Sequence, residues 1–158
     1  MRRDDTPVIP ADAADALAGW LQGKLPDWKL YENDLPRNFV RPCMFLELIR
    51  SASMPYSTTS TRESALLTVT LFPMRDEFGD MDRAAARETA GTLVRGLSGG
   101  LMMARDRALR IRSVSAVPDS DRVFLDVQLE WFEGREKSGE TAEMMKKVNI
   151  DLRKGGDR

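Results

Sequence analysis

The stretch Val123 to Phe132 limits what this chain can become more than any other. It reads Val-Phe-Leu-Asp-Val-Gln-Leu-Glu-Trp-Phe. Val123, Leu125, Val127, Leu129 and Trp131 fall on one side of an extended backbone. Asp126, Gln128 and Glu130 fall on the other, flanked by Phe124 and Phe132. Side chains of a strand alternate between two faces, so this pattern predicts a strand with one buried face. A helix would scatter the same apolar residues around its circumference. Burial contributes roughly 1.5–3 kcal/mol per large side chain, so the strand needs neighbours and a cover.

The remaining segments supply both. Pro10 suits the first turn of a helix, where its missing N–H costs nothing. Ala14, Leu17, Ala18, Leu21 and Leu25 then recur at helical spacing, and Gly23 and Pro26 end the run. Trp28 to Tyr31 and Cys43 to Ile49 read as strands, joined by a loop that holds Pro36 and Pro42. Arg62 to Phe72 alternates with Ala65, Leu67, Val69 and Leu71 on one face, as an antiparallel partner for the strand before it. Ala86, Ala90, Leu93, Val94 and Leu97 stripe a second helix that ends near Gly96, with Asp80 or Asp82 as its N-cap. Leu101 to Met103 is a short apolar stretch followed by a charged turn. Leu109 to Val117 alternates with a break of phase before Val114, which points to a bulge or a bend. The fold class expected is α+β: an antiparallel sheet of about four to five strands with two helices across one face. Residues 1–9 read as a flexible arm, 10–134 as one domain, and 135–158 as a linker and a C-terminal strand.

Composition excludes several function classes. The chain has 158 residues, a formal net charge of −1, one cysteine and no histidine. Near-neutral charge gives no general attraction to nucleic acid. A lone cysteine rules out an intrachain disulfide, and the missing histidine removes the commonest general base and metal ligand. No apolar run is long enough to span a bilayer. Glycine-rich phosphate loops, a nucleophile elbow and paired cysteines are all absent. Cys43 reads as a small buried hydrophobe, since a reactive thiol needs an electropositive site or a partner base. Asp80 and Asp82 read as helix-start residues, with a metal site as the weaker reading. Glu130 and Glu133 flank Trp131 without the spacing of a catalytic pair. No cofactor is expected.

One resemblance covers residues 10–153. A helix is followed by Leu-Pro-Asp-Trp-Lys-Leu-Tyr-Glu-Asn-Asp, a short loop, and Arg-Pro-Cys-Met-Phe-Leu-Glu-Leu. This order resembles the tail terminator family of long-tailed, siphovirus-type phages and prophages. The match rests on Pro26, Asp27, Tyr31, Glu32, Pro42, Cys43 and Phe45, with Leu30 in place of isoleucine and Met44 in place of one aromatic. The resemblance implies a lambda-type tail-terminator-like fold and no enzymatic activity. It implies a hexameric ring that caps the head-proximal end of the tail tube in the virion, after assembly in the host cytoplasm. The implied partners are copies of the chain, the major tail-tube protein and the head–tail connector, with DNA passing through the ring and no membrane. The alternatives are a neck or head–tail connector protein of the same particle, or a small bacterial ligand-binding domain or enzyme.

Candidate contact residues come from three segments. Ser51 to Thr61 reads as a long hairpin loop, either mobile or ordered by a partner through Met54 and Tyr56. Arg105, Arg107, Arg110 and Arg112 concentrate positive charge, for salt bridges within or between subunits or for passing DNA. Lys146 to Leu152 alternates as a tethered strand, with Val148, Ile150 and Leu152 on one face, and a tethered strand joins chains by β-augmentation.

Overall fold

The computed structural model describes residues 6–134. Helix α1 (Pro10–Lys24) is followed by strands β1 (Lys29–Glu32), β2 (Cys43–Pro55) and β3 (Ser60–Phe72). Helix α2 (Arg83–Leu97) and strands β4 (Leu101–Ala104), β5 (Arg107–Pro118) and β6 (Val123–Gly134) complete the described residues. The strands form one six-stranded sheet in the order β1-β2-β3-β6-β5-β4. The alternating stretch around Leu125 lies at its centre as β6, antiparallel to both β3 and β5.

Pairing sets the core. Ala65 lies opposite Leu129, Leu67 opposite Val127, Val69 opposite Leu125 and Leu71 opposite Val123. All eight are at most 3% exposed. Ala13, Leu17, Ala18 and Leu21 of α1 join the same cluster, as do Ala86, Ala90, Leu93 and Leu97 of α2. Both helices therefore cover one face of the sheet. They also approach each other closely, because a Cβ on Gly96 would meet Trp20 Cζ2 at 3.0 Å. Asp82 is the N-cap of α2, and its Oδ1 accepts the Ala85 N–H at 3.2 Å. Ile9 has no acceptor to cap α1 with, but its own N–H donates to Asp12 Oδ2 at 2.9 Å.

The expected sheet is corrected in two respects. It has six strands, because Leu101–Ala104 forms a strand and not merely an apolar stretch. It is also mixed, because β1 runs parallel to β2. The connection 33–42 begins at Asn33, with φ 70°, and returns the chain to the starting end of the sheet. Asparagine tolerates that left-handed conformation. It folds Phe39 over the helix-free face, with its ring 4.5 Å from that of Phe72. The Arg41–Pro42 peptide is cis.

A third correction concerns Ser51 to Thr61. This segment is mostly strand: β2 and β3 stay paired out to Pro55 opposite Thr61, and only residues 56–59 turn. The Tyr56 and Ser57 N–H groups both donate to Ser60 O at 3.1 Å. The hairpin projects beyond the helices, so neither face of Ser51–Pro55 is buried. A strand solvated on both sides shows no apolar alternation. Of the bulge or bend expected before Val114, the structure has a bulge between Ile111 and Ser113, and β2 carries another between Leu48 and Arg50.

The end of the expected arm is docked. Val8 is 3% exposed, its N–H donates to Glu133 Oε1 at 2.8 Å, and its carbonyl accepts from Trp131 Nε1 at 3.2 Å. No described helix is long and apolar enough to cross a membrane.

Candidate interface on the helix-free face

The face away from the helices is read from register. Leu101, Arg110, Glu130, Ser64 and Ala52 make one continuous row across β4, β5, β6, β3 and β2. Next to it, Phe132 lies opposite Arg62 and Arg62 opposite Met54, while Met103 lies opposite Ala108. Because sides alternate along each strand, these residues share the face opposite Leu129 and Ala65. The Tyr56 ring folds back to within 4.8 Å of Phe132, tilted by 59°.

Five large apolar side chains are thus exposed towards the hairpin end of this face. Tyr56 is 64% and Leu101 68% exposed, with Met54, Met103 and Phe132 also open. Single exposed hydrophobes need no explanation, whereas a group on one uncovered sheet face makes that face a candidate interaction surface. Arg62 Nη2 reaches Met54 Sδ at 3.5 Å, bringing a cation into the group. Sequence reasoning singles out Met54 and Tyr56 from this exposed group. It missed Phe132, Leu101 and Met103, because their shared face exists only once β4 pairs with β5.

The four arginines expected as a positive edge are distributed. Arg105, with φ 56°, reaches Asp12 Oδ1 at 3.4 Å. Arg107 Nη2 is 2.8 Å from Glu133 Oε2, and its Nη1 donates to Phe132 O at 2.9 Å. Arg112, at the bulge, reaches Glu130 Oε2 at 3.1 Å. Arg110 alone of the four has no ion-pair partner among the described residues, and it lies exposed between Leu101 and Glu130. Val148, Ile150 and Leu152 lie outside the described residues.

The carboxylates of Glu130, Glu133, Asp76 and Asp82 have structural partners. Glu130 faces the helix-free side and Glu133 the helix side, so they do not converge on one substrate position. Asp76 Oδ1 accepts the Phe78 and Asp80 N–H groups and shapes the turn before α2. Among the described residues, no group of three or more His, Cys, Asp or Glu side chains could hold a metal.

A second cluster fixes the opposite end of the helix-free face, and the sequence did not reveal it. Arg41 donates from Nη1 to the carbonyls of Pro73 (3.2 Å) and Asp121 (2.9 Å). Its guanidinium lies 5.3 Å from the Phe72 centroid and that of Arg122 5.0 Å. Such contacts favour the cation over the ring face. Asp121 binds Arg122 Nε at 2.8 Å and Arg41 Nη2 at 3.3 Å. The Arg122 hydrogen bond, helped by the charges of Arg122 and Arg41, holds the Asp121 carboxyl below its usual range despite desolvation. The same bond raises Arg122, whereas burial, with Arg75 nearby, lowers Arg41. Burial pushes the Cys43 thiol up, and the nearby Arg41 charge only partly opposes this. A thiol kept protonated is a poor nucleophile.

The helix-free face carries exposed apolar side chains, and no reactive groups converge among the described residues. A search of curated proteins gives no match to the chain. The family model for "Phage tail terminator protein" matches residues 12–141. That span takes in α2, all six strands and all but the first two residues of α1, and the chain therefore belongs to the phage tail terminator family.

Proposed function

We propose that this protein caps the head-proximal end of the tail tube as one subunit of a closed ring, six copies being the family expectation. Membership of the family gives a structural role in the phage tail. The observation that carries the finer reading is the uncovered apolar group Met54, Tyr56, Leu101, Met103 and Phe132 on the helix-free face. A ring forms when a heterologous contact closes on itself. Capping then follows from asymmetry: one side of the ring complements the last ring of the major tail-tube protein, and the other meets the head–tail connector and accepts no further tube subunit. The projecting hairpin supplies reach, and the C-terminal segment Lys146–Leu152 joins neighbouring copies. Arg110, free of an ion pair among the described residues, is the member of the arginine set available to DNA passing through the ring.

The test replaces Met54 and Tyr56 with serine. Both positions are exposed, so the domain should fold with an unchanged circular dichroism spectrum. The variant should lose the ability to arrest tube growth. Intact arrest by the folded variant would contradict the role given to the hairpin. Separately, removing residues 144–158 should lower the oligomer mass in light scattering, and an unchanged mass would remove the claim for the C-terminal strand.

A further inference from the structure

A groove of about 820 Å³ runs between α2 and the turn from β5 to β6, away from the face discussed above. Its floor is apolar: Ala86, Ala90 and Val94 of α2 face Ala116 of β5 and Val123 of β6. Its rim is cationic. Arg83, Arg87, Gly91 and Arg95 follow one another at intervals of four residues along α2, so they form a single ridge. None of the three arginines makes an ion pair among the described residues. Opposite them stands Asp119, whose Oδ1 is taken by the Ser120 N–H. Beyond Arg83 the mouth turns acidic, with Asp76, Glu77, Asp80 and Asp82.

We infer that this groove docks an extended segment of a partner protein in which acidic and apolar residues alternate. Charge sets the acidic half of that pattern: Arg87 and Arg95 have no ion-pair partner among the described residues, and the carboxylates beyond Arg83 turn the segment's acids towards the other end. Spacing sets the extended form. Eight helical residues separate Arg87 from Arg95, about 12 Å along the axis. Four residues of extended chain cover about 13 Å, and residues four apart share a face. Acids at the first and fifth positions of the segment therefore meet Arg87 and Arg95. The third side chain passes over Gly91, where a Cβ would find nothing within 4 Å. The even-numbered side chains turn onto the Ala90, Val94 and Val123 floor. A second copy of this chain does not offer such a segment from its described sheet edges, since β1 carries one carboxylate and β4 none.

The experiment uses the full-length protein and a fluorescein-labelled ten-residue peptide alternating glutamate and valine, read by anisotropy. The peptide should bind at least tenfold more tightly than its lysine-for-glutamate counterpart, and more tightly than the same composition with acids at helical spacing. Combining Arg87→Glu with Arg95→Glu should weaken binding at least tenfold while leaving the circular dichroism spectrum unchanged. Combining Met54→Ser with Tyr56→Ser should leave peptide binding as it was, which separates this site from the capping surface. Absent binding, equal binding of the lysine peptide, or full binding by the folded double-glutamate variant would overturn the inference. So would a wild type that ignores the peptide but loses oligomer mass on the double substitution, which would make the groove a contact between copies.

Discussion

Arg107→Ala separates an arginine that serves the fold from one that serves a partner. Glu133 is 7% exposed, and its carboxylate has two partners, the Val8 N–H and Arg107 Nη2, each at 2.8 Å. Alanine removes the second and also the bond from Arg107 to Phe132 O. Losing a hydrogen bond to a buried charge costs about 1.5–3 kcal/mol, and more where no water can replace it. The Arg107 side chain is 26% exposed, so water reaches the vacated position, and about 2 kcal/mol is the expected loss. For a chain of this length that lowers Tm by roughly 4–8 °C. Urea unfolding followed by circular dichroism measures it. Glu133→Gln with Arg107→Ala should recover part of the loss, because no uncompensated charge remains. A single variant within about 0.5 kcal/mol of the parent, the scatter of ordinary surface changes, would refute the reasoning and free Arg107 for an intermolecular role.

Asp82→Ala removes the cap that accepts the Ala85 N–H and should cost about 1 kcal/mol in urea unfolding. Gly99 sits at φ +68° between α2 and β4, so Gly99→Ala should cost about 1–2 kcal/mol through strain in that conformation, visible as a lowered Tm. Asp121 has a depressed folded pKa. Its contribution is therefore complete above the unfolded value of about 3.9 and is lost as pH falls through the lower folded value. Asp121→Asn should be less stable than the parent at neutral pH, and the two should converge in acid. A constant difference at every pH would contradict this assignment.

The sequence carried the parts of the fold that local periodicity encodes. β6 was legible because Val123 to Trp131 alternate cleanly and one side is wholly buried. The stripes of α1 and α2 were legible because Leu17, Leu21, Ala90 and Leu93 repeat at the helical period. The edges were legible only in part. β4 is four residues long, too short for a period to register, whereas β1 was read as a strand from Trp28 to Tyr31 but its parallel direction depends on where the 33–42 connection returns. The outer half of the β2–β3 hairpin looked like a loop because water contacts both of its sides. The clamp on Val8 joins residues 125 positions apart, so no local pattern announces it. For the exposed apolar group of the candidate interface, Met54 and Tyr56 were legible from composition, while Leu101, Met103 and Phe132 required the register of β4 against β5 and of β3 against β6. The arginine cluster was real in sequence but dispersed in space, since alternation and the bulge at Arg112 send neighbours to different partners.

Electron microscopy of tail-tube protein polymerising with and without this protein tests the central claim most directly. Tubes grown with it should stop at shorter lengths and carry a ring of density at one end only. Tubes that grow to the same lengths, with bare ends and the protein left unbound in solution, would contradict the account.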